Sequence, residues 1–190
     1  IRQYVDHMLR ADGPAFFESP TWTPPADGVR SHGMSPLVRD LRAKVGHDLL
    51  LMPACAAAIF NAEGHILLQK RGDNGTWGLI GGAADPDEQP ADTVVREAWE
   101  ETGLRVEPVQ IVGVYGGPDF MLTYPNQDRA AVVSTLFECR IVDGEAIPDG
   151  HESVALRFMP PEEALALPDL YPNMHERIRR AVLARGQADP

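Results

Sequence analysis

One stretch, Gly82 to Leu104, constrains this chain more than any other. It ends Arg96-Glu97-Ala98-Trp99-Glu100-Glu101-Thr102-Gly103-Leu104. Pro90 suits a first helical position and Gly103 a helix stop, so a helix is expected from Pro90 to about Thr102. Ala91, Val94, Val95 and Ala98 then form its apolar face, with Trp99 beside it. Glu97, Glu100 and Glu101, at i, i+3 and i+4, share another face. The expected arrangement docks one side on a sheet and presents carboxylates on the roughly opposite side. Like charges at that spacing cost roughly 0.2–0.5 kcal/mol per pair. Their place in the second half of the helix costs roughly 0.3–1 kcal/mol each, because the macrodipole is negative there. A hard divalent cation reverses both costs, since Mg²⁺ takes oxygen ligands and combines one or two carboxylates with substrate phosphates. A solvated acidic face is the other reading of the three Glu taken alone.

The wider spacing resembles the signature of the Nudix hydrolases: Gly, five residues, Glu, seven residues, then Arg-Glu-apolar-any-Glu-Glu-any-Gly-apolar. Gly82, Glu88, Arg96, Glu97, Ala98, Glu100, Glu101, Gly103 and Leu104 fill every required position. A chance match is on the order of one in a million. Ile80, Asp85 and Asp87 depart from the commoner residues around the motif, which bears on loop shape rather than on the reaction. The resemblance implies an α/β fold, a mixed β-sheet sandwiched between α-helices. The expected division is an N-terminal helical or irregular arm, residues 1–46, followed by a Nudix domain, residues 47–190. The resemblance also implies water attack on a phosphorus of a nucleoside diphosphate derivative, with Mg²⁺ or Mn²⁺ as cofactor. By position, Glu97 and Glu101 are the main metal ligands. Glu100 is a further ligand or bridges through water, and the Gly81 carbonyl is an extra one. Arg96 would orient a neighbouring Glu, and Glu88 is either a ligand or a support for the loop. A downstream carboxylate often assists in this family. Glu152 is the first choice for it and Glu145 the second.

For substrate contacts, Gln69 and Arg71 project from an expected strand near Gly81, and Arg71 suits bidentate clamping of a phosphate. A structural ion pair is the alternative for Arg71. Trp77, Tyr115, Phe120 and Tyr124 are candidates for stacking on a base, with core packing as their competing role. Trp99, His65 and His151 read as structural or surface residues. Pro118 lies near a Pro carried by an ADP-ribose-cleaving group of the family. ADP-ribose is therefore the lead substrate, with oxidised or cytidine nucleoside di- and triphosphates as rivals. A nucleotide-sensing Nudix-like module and an acidic interaction domain are the competing functions. The intact Glu cluster favours the enzyme.

Composition bounds the partners. The net charge of −11 over 190 residues disfavours nucleic-acid polymers and anionic membranes. The first residues carry Arg2, Asp6, Arg10 and Asp12, so no signal-peptide core is expected there. The apolar run Leu49 to Phe60 is too short to span a bilayer. Cys55 and Cys139 are expected as buried free thiols of a cytoplasmic protein.

Ile1 to Leu9 reads as a short amphipathic helix, and Pro and Gly then crowd residues 13–36. Phe16, Phe17 and Trp22 imply that this arm packs against something, and a homodimer through the arm is expected. Met34 is an alternative start. Ser35 and Pro36 open a helix to Lys44. Strands are expected at Leu49–Phe60, with an interruption at Pro53, and at His65–Arg71, Thr76–Ile80, Gln110–Tyr115, Phe120–Thr123, Ala130–Val142 and Ser153–Met159. Helices are expected from Pro160 to about Leu167 and from Asn173 to Ala184.

Overall fold

The computed structural model describes residues 17, 19–28, 30 and 35–188. The expected helix at Ile1–Leu9, Phe16 and Met34 lie outside the described residues. Helix α1 is Pro36–Val45, followed by β1 (Leu49–Phe60), β2 (Ile66–Arg71), β3 (Trp77–Gly78) and β4 (Ile80–Ala83). Helix α2 is Pro90–Thr102, then come β5 (Arg105–Tyr115), a 3₁₀ turn (Pro118–Phe120), β6 (Met121–Thr123), β7 (Arg129–Asp143) and β8 (Ser153–Met159). Helices α3 (Pro161–Leu165) and α4 (Met174–Ala188) end the described chain. Among the described residues, no helix is long and apolar enough to cross a membrane.

Among the described residues, eight strands join one mixed sheet, with the path β3-β2-β1-β7-β5 and β4, β6 and β8 paired to β1, β7 and β2. Strand β1 runs parallel to β7 from Leu49↔Arg129 to Phe60↔Arg140 without a break. The expected interruption at Pro53 is absent. Phe120 is also not in a strand. It closes the 3₁₀ turn, and β6 starts one residue later.

Two cores flank the sheet, as expected of a sandwich. Alternation along β1 sends Cys55, Ala57 and Ile59 to one core with Val94, Val95 and Ala98 of α2. It sends Ala56, Ala58 and Phe60 to the other with Met174, Ile178 and Ala181 of α4. The run Ala56-Ala57-Ala58 is buried throughout, and its small side chains let a helix approach the central strand from each face. Both cysteines are free and buried, and burial pushes the Cys55 thiol up to about 12.

The arm does pack. Phe17 meets Phe137 edge-to-face at 5.1 Å, and Trp22 joins the core under α2. The Asp92 carboxylate in the first turn of α2 holds it there. Its Oδ1 accepts the backbone N–H of Thr21 at 2.5 Å and of Trp22 at 2.7 Å, while Oδ2 accepts Gln89 N–H at 3.2 Å. One buried side chain thus caps its own helix and anchors the arm.

Candidate functional site

The site begins with how α2 is seated. Gln89 caps it, Pro90 opens it, and Gly103 closes it in the left-handed region at φ 75°. The register this fixes places Glu97 and Glu101 inward, at 8% and 4% exposure. This corrects the expectation of a carboxylate face opposite the docked side. The two Glu are on the docked side, against β4 and β2, and Glu100, less buried, stays beside Glu97 through the Arg96 Nη1 that both accept from.

Arg96 organises the approach. Its Nε and Nη2 grip Glu88 at 2.5 and 3.0 Å, Nη1 reaches Glu97 at 2.8 Å and Glu100 at 2.9 Å, and Nη2 also meets the Ala83 carbonyl at 3.0 Å. These bonds match the five N–H donors of a guanidinium. Glu88 also accepts Asp85 N–H and Thr93 Oγ–H, so it supports the loop rather than joining the pair. Burial alone would raise the Glu88 pKa, but Arg96, Asp85 and Thr93 hold it below the usual range.

Glu101 sits deeper. Its Oε2 accepts Gly81 N–H at 3.0 Å and a Gln69 amide N–H at 2.9 Å. Gln69 is oriented in turn by donating to the Leu79 carbonyl and by accepting Ser153 Oγ–H. Burial lifts the Glu101 pKa well above the carboxylate range, and the charges of Glu97 and Glu152 add to this. Burial also lifts Glu97 to about 7. Arg96 opposes the rise, and Glu100 and Glu152 add to it. Glu152, on the loop before β8, is thus near enough for its charge to be felt by both buried carboxylates. Asp149 shapes that loop by accepting the N–H groups of His151, Glu152 and Ser153.

Two glycines make the close approach possible. A Cβ on Gly82 would lie 2.6 Å from Glu97 Cδ. A Cβ on Gly81 would lie 2.7 Å from Ala56 Cα, and the φ of 149° at Gly81 disfavours a side chain in any case. Among the described residues, no three Asp, Glu, His or Cys side chains converge as a ready metal cage. The donors that do fit a hard cation are the two carboxylates of Glu97 and Glu101. Both are held in an environment that penalises their charge.

The other expected contacts divide. Arg71 pairs with Asp73 through Nε at 2.9 Å and Nη2 at 2.7 Å, and it also feels the charge of Glu101. Burial raises the Tyr124 pKa, and the charge of Arg71 opposes the rise. Phe120 lies apart from Glu101. At 8% exposure it packs on Tyr115 and beside Arg177 of α4, on the opposite face of the sheet from the carboxylates. Glu145 lines a groove of about 690 Å³ between the arm and the C-terminal end of α2, away from the pair. Ser153 and Asp149 carry parts of this arrangement without a local sequence signal, because the partner of Ser153 is distant in the chain and those of Asp149 are set by loop shape.

The profile of the NUDIX domain matches residues 50–181, across this sheet, α2 and most of α4. The chain belongs to the Nudix family. Relatives include a MutT-like protein of Streptomyces ambofaciens, 37% identical over 57% of this chain and 63% of that one. An ADP-ribose pyrophosphatase of Methanocaldococcus jannaschii is 36% identical over 56% of this chain and 60% of that one. The chain spans less than two thirds of the length of these relatives. Among solved structures, an ADP-ribose pyrophosphatase from Streptococcus suis superposes with a TM-score of 0.54 at 32% identity, over 70% of this chain and 91% of that one. The Nudix core is therefore shared, and the arm lies outside the profile match.

Proposed function

We propose that this Nudix domain is a divalent-metal-dependent pyrophosphohydrolase that cleaves the diphosphate of a nucleoside diphosphate derivative. The observation that carries the reading is the Glu97–Glu101 pair. Two carboxylates buried side by side, both resisting ionisation, are poor for stability and well suited to a cation. Glu97 and Glu101 would hold Mg²⁺ or Mn²⁺, with the Gly81 carbonyl and Glu100 as further oxygens. When bound, the metal supplies Lewis-acid neutralisation of charge on the phosphate oxygens. The remaining roles fall to the chain's own groups. Arg96 fixes the side chains of Glu97, Glu100 and Glu88. Gln69 and Gly81 N–H fix Glu101. Glu152, whose charge reaches both carboxylates, would accept the proton of the attacking water. The side of the Arg71 guanidinium away from Asp73 receives a substrate phosphate, and Tyr124 borders the nucleoside. Phe120 would have to leave its packing on Tyr115 to touch a ligand.

ADP-ribose is the lead substrate, on Pro118 at the start of the 3₁₀ turn and on the likeness to two proteins named ADP-ribose pyrophosphatase. Oxidised or cytidine nucleotides are the rivals, since a putative 8-oxo-dGTP diphosphatase of Bacillus subtilis is also 37% identical. A cytoplasmic site of action belongs to the same reading, supported by the two free buried thiols.

The test is phosphate release from a nucleotide panel with Mg²⁺ or Mn²⁺, for wild type and Glu101→Gln. The expected result is turnover of one compound and a loss of at least about a hundredfold in the variant, roughly 2.7 kcal/mol of barrier. Binding of a nucleotide with no cleavage of any would replace this reading by a sensor.

A further inference from the structure

Strand β8 meets β2 through an irregularity. Leu156 and Phe158 of β8 stand opposite Gln69 and Leu67 of β2, on the α2 side of the sheet. Strict alternation would put Val154 next on that side. The register breaks there instead. Lys70 pairs with Ala155 and Arg71 with Ser153, so Val154 is an extra residue, 49% exposed. The bulge shifts the residues before it by one position, and Ser153 takes the inward place. Ser153 is fully buried there, and its Oγ–H donates to Gln69 Oε1. With Oε1 occupied as the acceptor, the amide turns its NH₂ to the Leu79 carbonyl at 3.3 Å and to Glu101 Oε2 at 2.9 Å.

Gly72 sets the other side of the loop. Its N–H donates to the Glu152 carbonyl at 2.9 Å. A Cβ on Gly72 would lie 2.1 Å from the His151 carbonyl oxygen, where real side chains keep beyond 3.0 Å. The obstacle is backbone, so it yields only if the loop moves. The φ of Gly72 is not in the left-handed region, so glycine is required here for space alone. The Asp149 carboxylate holds the same loop from its other side, through the N–H groups of His151, Glu152 and Ser153.

We propose that Gly72 and Ser153 are positioning residues of the reaction: with the bulge at Val154, they hold Glu152 in a fixed place relative to Glu101. The inference rests on the reading of Glu152 as the group that takes the proton of the attacking water. Glu152 is exposed, which suits a group that meets water and substrate. An exposed side chain on a surface loop takes its place from the backbone that carries it. That backbone is tied on both sides of Glu152. Gly72 abuts the His151 carbonyl and bonds that of Glu152. Ser153 is joined to Glu101 through Gln69, by two buried side-chain hydrogen bonds. The loop and the carboxylate that would hold the metal therefore move as one unit. Relieving the 2.1 Å contact needs a retreat of the His151 carbonyl by about 1 Å. A misplacement of about 1 Å costs up to about a hundredfold in rate.

The test is hydrolysis of ADP-ribose, 8-oxo-dGTP and CTP with Mg²⁺ by wild type, Gly72→Ala, Ser153→Ala, Glu152→Gln and the double variant Gly72→Ala/Glu152→Gln. Mn²⁺ binding by electron paramagnetic resonance and a urea midpoint accompany each protein. For Gly72→Ala the expected result is a fall of about ten- to a hundredfold in kcat, with KM and Mn²⁺ affinity within about threefold of wild type. A loss that came through the neighbouring Arg71 would raise KM instead. The double variant should be no slower than Glu152→Gln within about threefold, since both changes act on one group. Ser153→Ala should lower kcat likewise. It should also weaken Mn²⁺ binding, because Gln69 is then free to turn its oxygen toward Glu101. A Gly72→Ala protein with wild-type kcat, with its loss in KM, or with a loss that multiplies in full with that of Glu152→Gln overturns the proposal. Wild-type kcat in Glu152→Gln removes Glu152 from the reaction and this inference with it, while Glu101→Gln still reports on the metal. No cleavage of any of the three nucleotides by wild type overturns the proposed function and the positioning role together.

Discussion

The tie between the arm and α2 gives a prediction whose size follows from geometry. In Asp92→Asn, Oδ1 still accepts from Thr21 and Trp22, but as a neutral carbonyl. Bonds of 2.5 and 2.7 Å to a carboxylate are charge-assisted, and such bonds contribute roughly twice what neutral ones do, a loss of about 1 kcal/mol each. The new Nδ2 faces Gln89 N–H, donor against donor, and removes the helix cap, about 1 kcal/mol more. The expected total is about 2–3 kcal/mol, read by urea denaturation at pH 7. Burial pushes the Asp92 pKa up, but the amides of Trp22, Thr21 and Gln89 outweigh it and hold the value below the ordinary one. A depressed folded pKa stabilises above the unfolded value, near 3.9, and that contribution is lost as pH falls through the folded value. The gap between wild type and Asp92→Asn should therefore be full at neutral pH and shrink steadily below about pH 4. Equal stability of the two proteins at pH 7, or a gap that persists undiminished under acid, would refute the tie.

Gly82→Ala should cost activity far more than stability. The added methyl meets a carboxylate rather than backbone, so Glu97 swings aside, and turnover should fall at least about a hundredfold with a midpoint shift worth under about 1.5 kcal/mol. A variant with wild-type turnover would show that Glu97 does not need its present place. Gln127→Gly should stabilise by about 1 kcal/mol in the same urea assay, because Gln127 is held at φ 71° in the turn before Asp128. An unchanged or lowered midpoint would mean that the turn carries no strain there.

The helix and the spacing of its carboxylates were legible because they are local. Pro90, Gly103 and the spacing of the three Glu lie within one element, and so does the family motif. The strands were legible for the same reason, from runs of apolar residues between turns. Phe120 was misplaced by one residue across a strand boundary, where short apolar runs leave the turn and the strand alike. Pro53 is compatible with an interruption by residue type, but in the parallel pairing with β7 it leaves the strand unbroken. The burial of Glu97 and Glu101 was not legible, because helical periodicity tells which residues share a face and not what that face meets.

The sequence by itself determined the order of most elements, the Nudix membership and the spacing of the carboxylates on α2, since each depends on residue types at short, fixed spacings. Tertiary structure alone decided where those carboxylates sit. It put Glu97 and Glu101 under β4 and β2, turned Glu100 to Arg96, set Asp73 on Arg71, and let the charge of Glu152, from a distant loop, reach both buried carboxylates. These outcomes depend on which surfaces meet across long stretches of chain, and burial, unlike spacing, exists only after they have met.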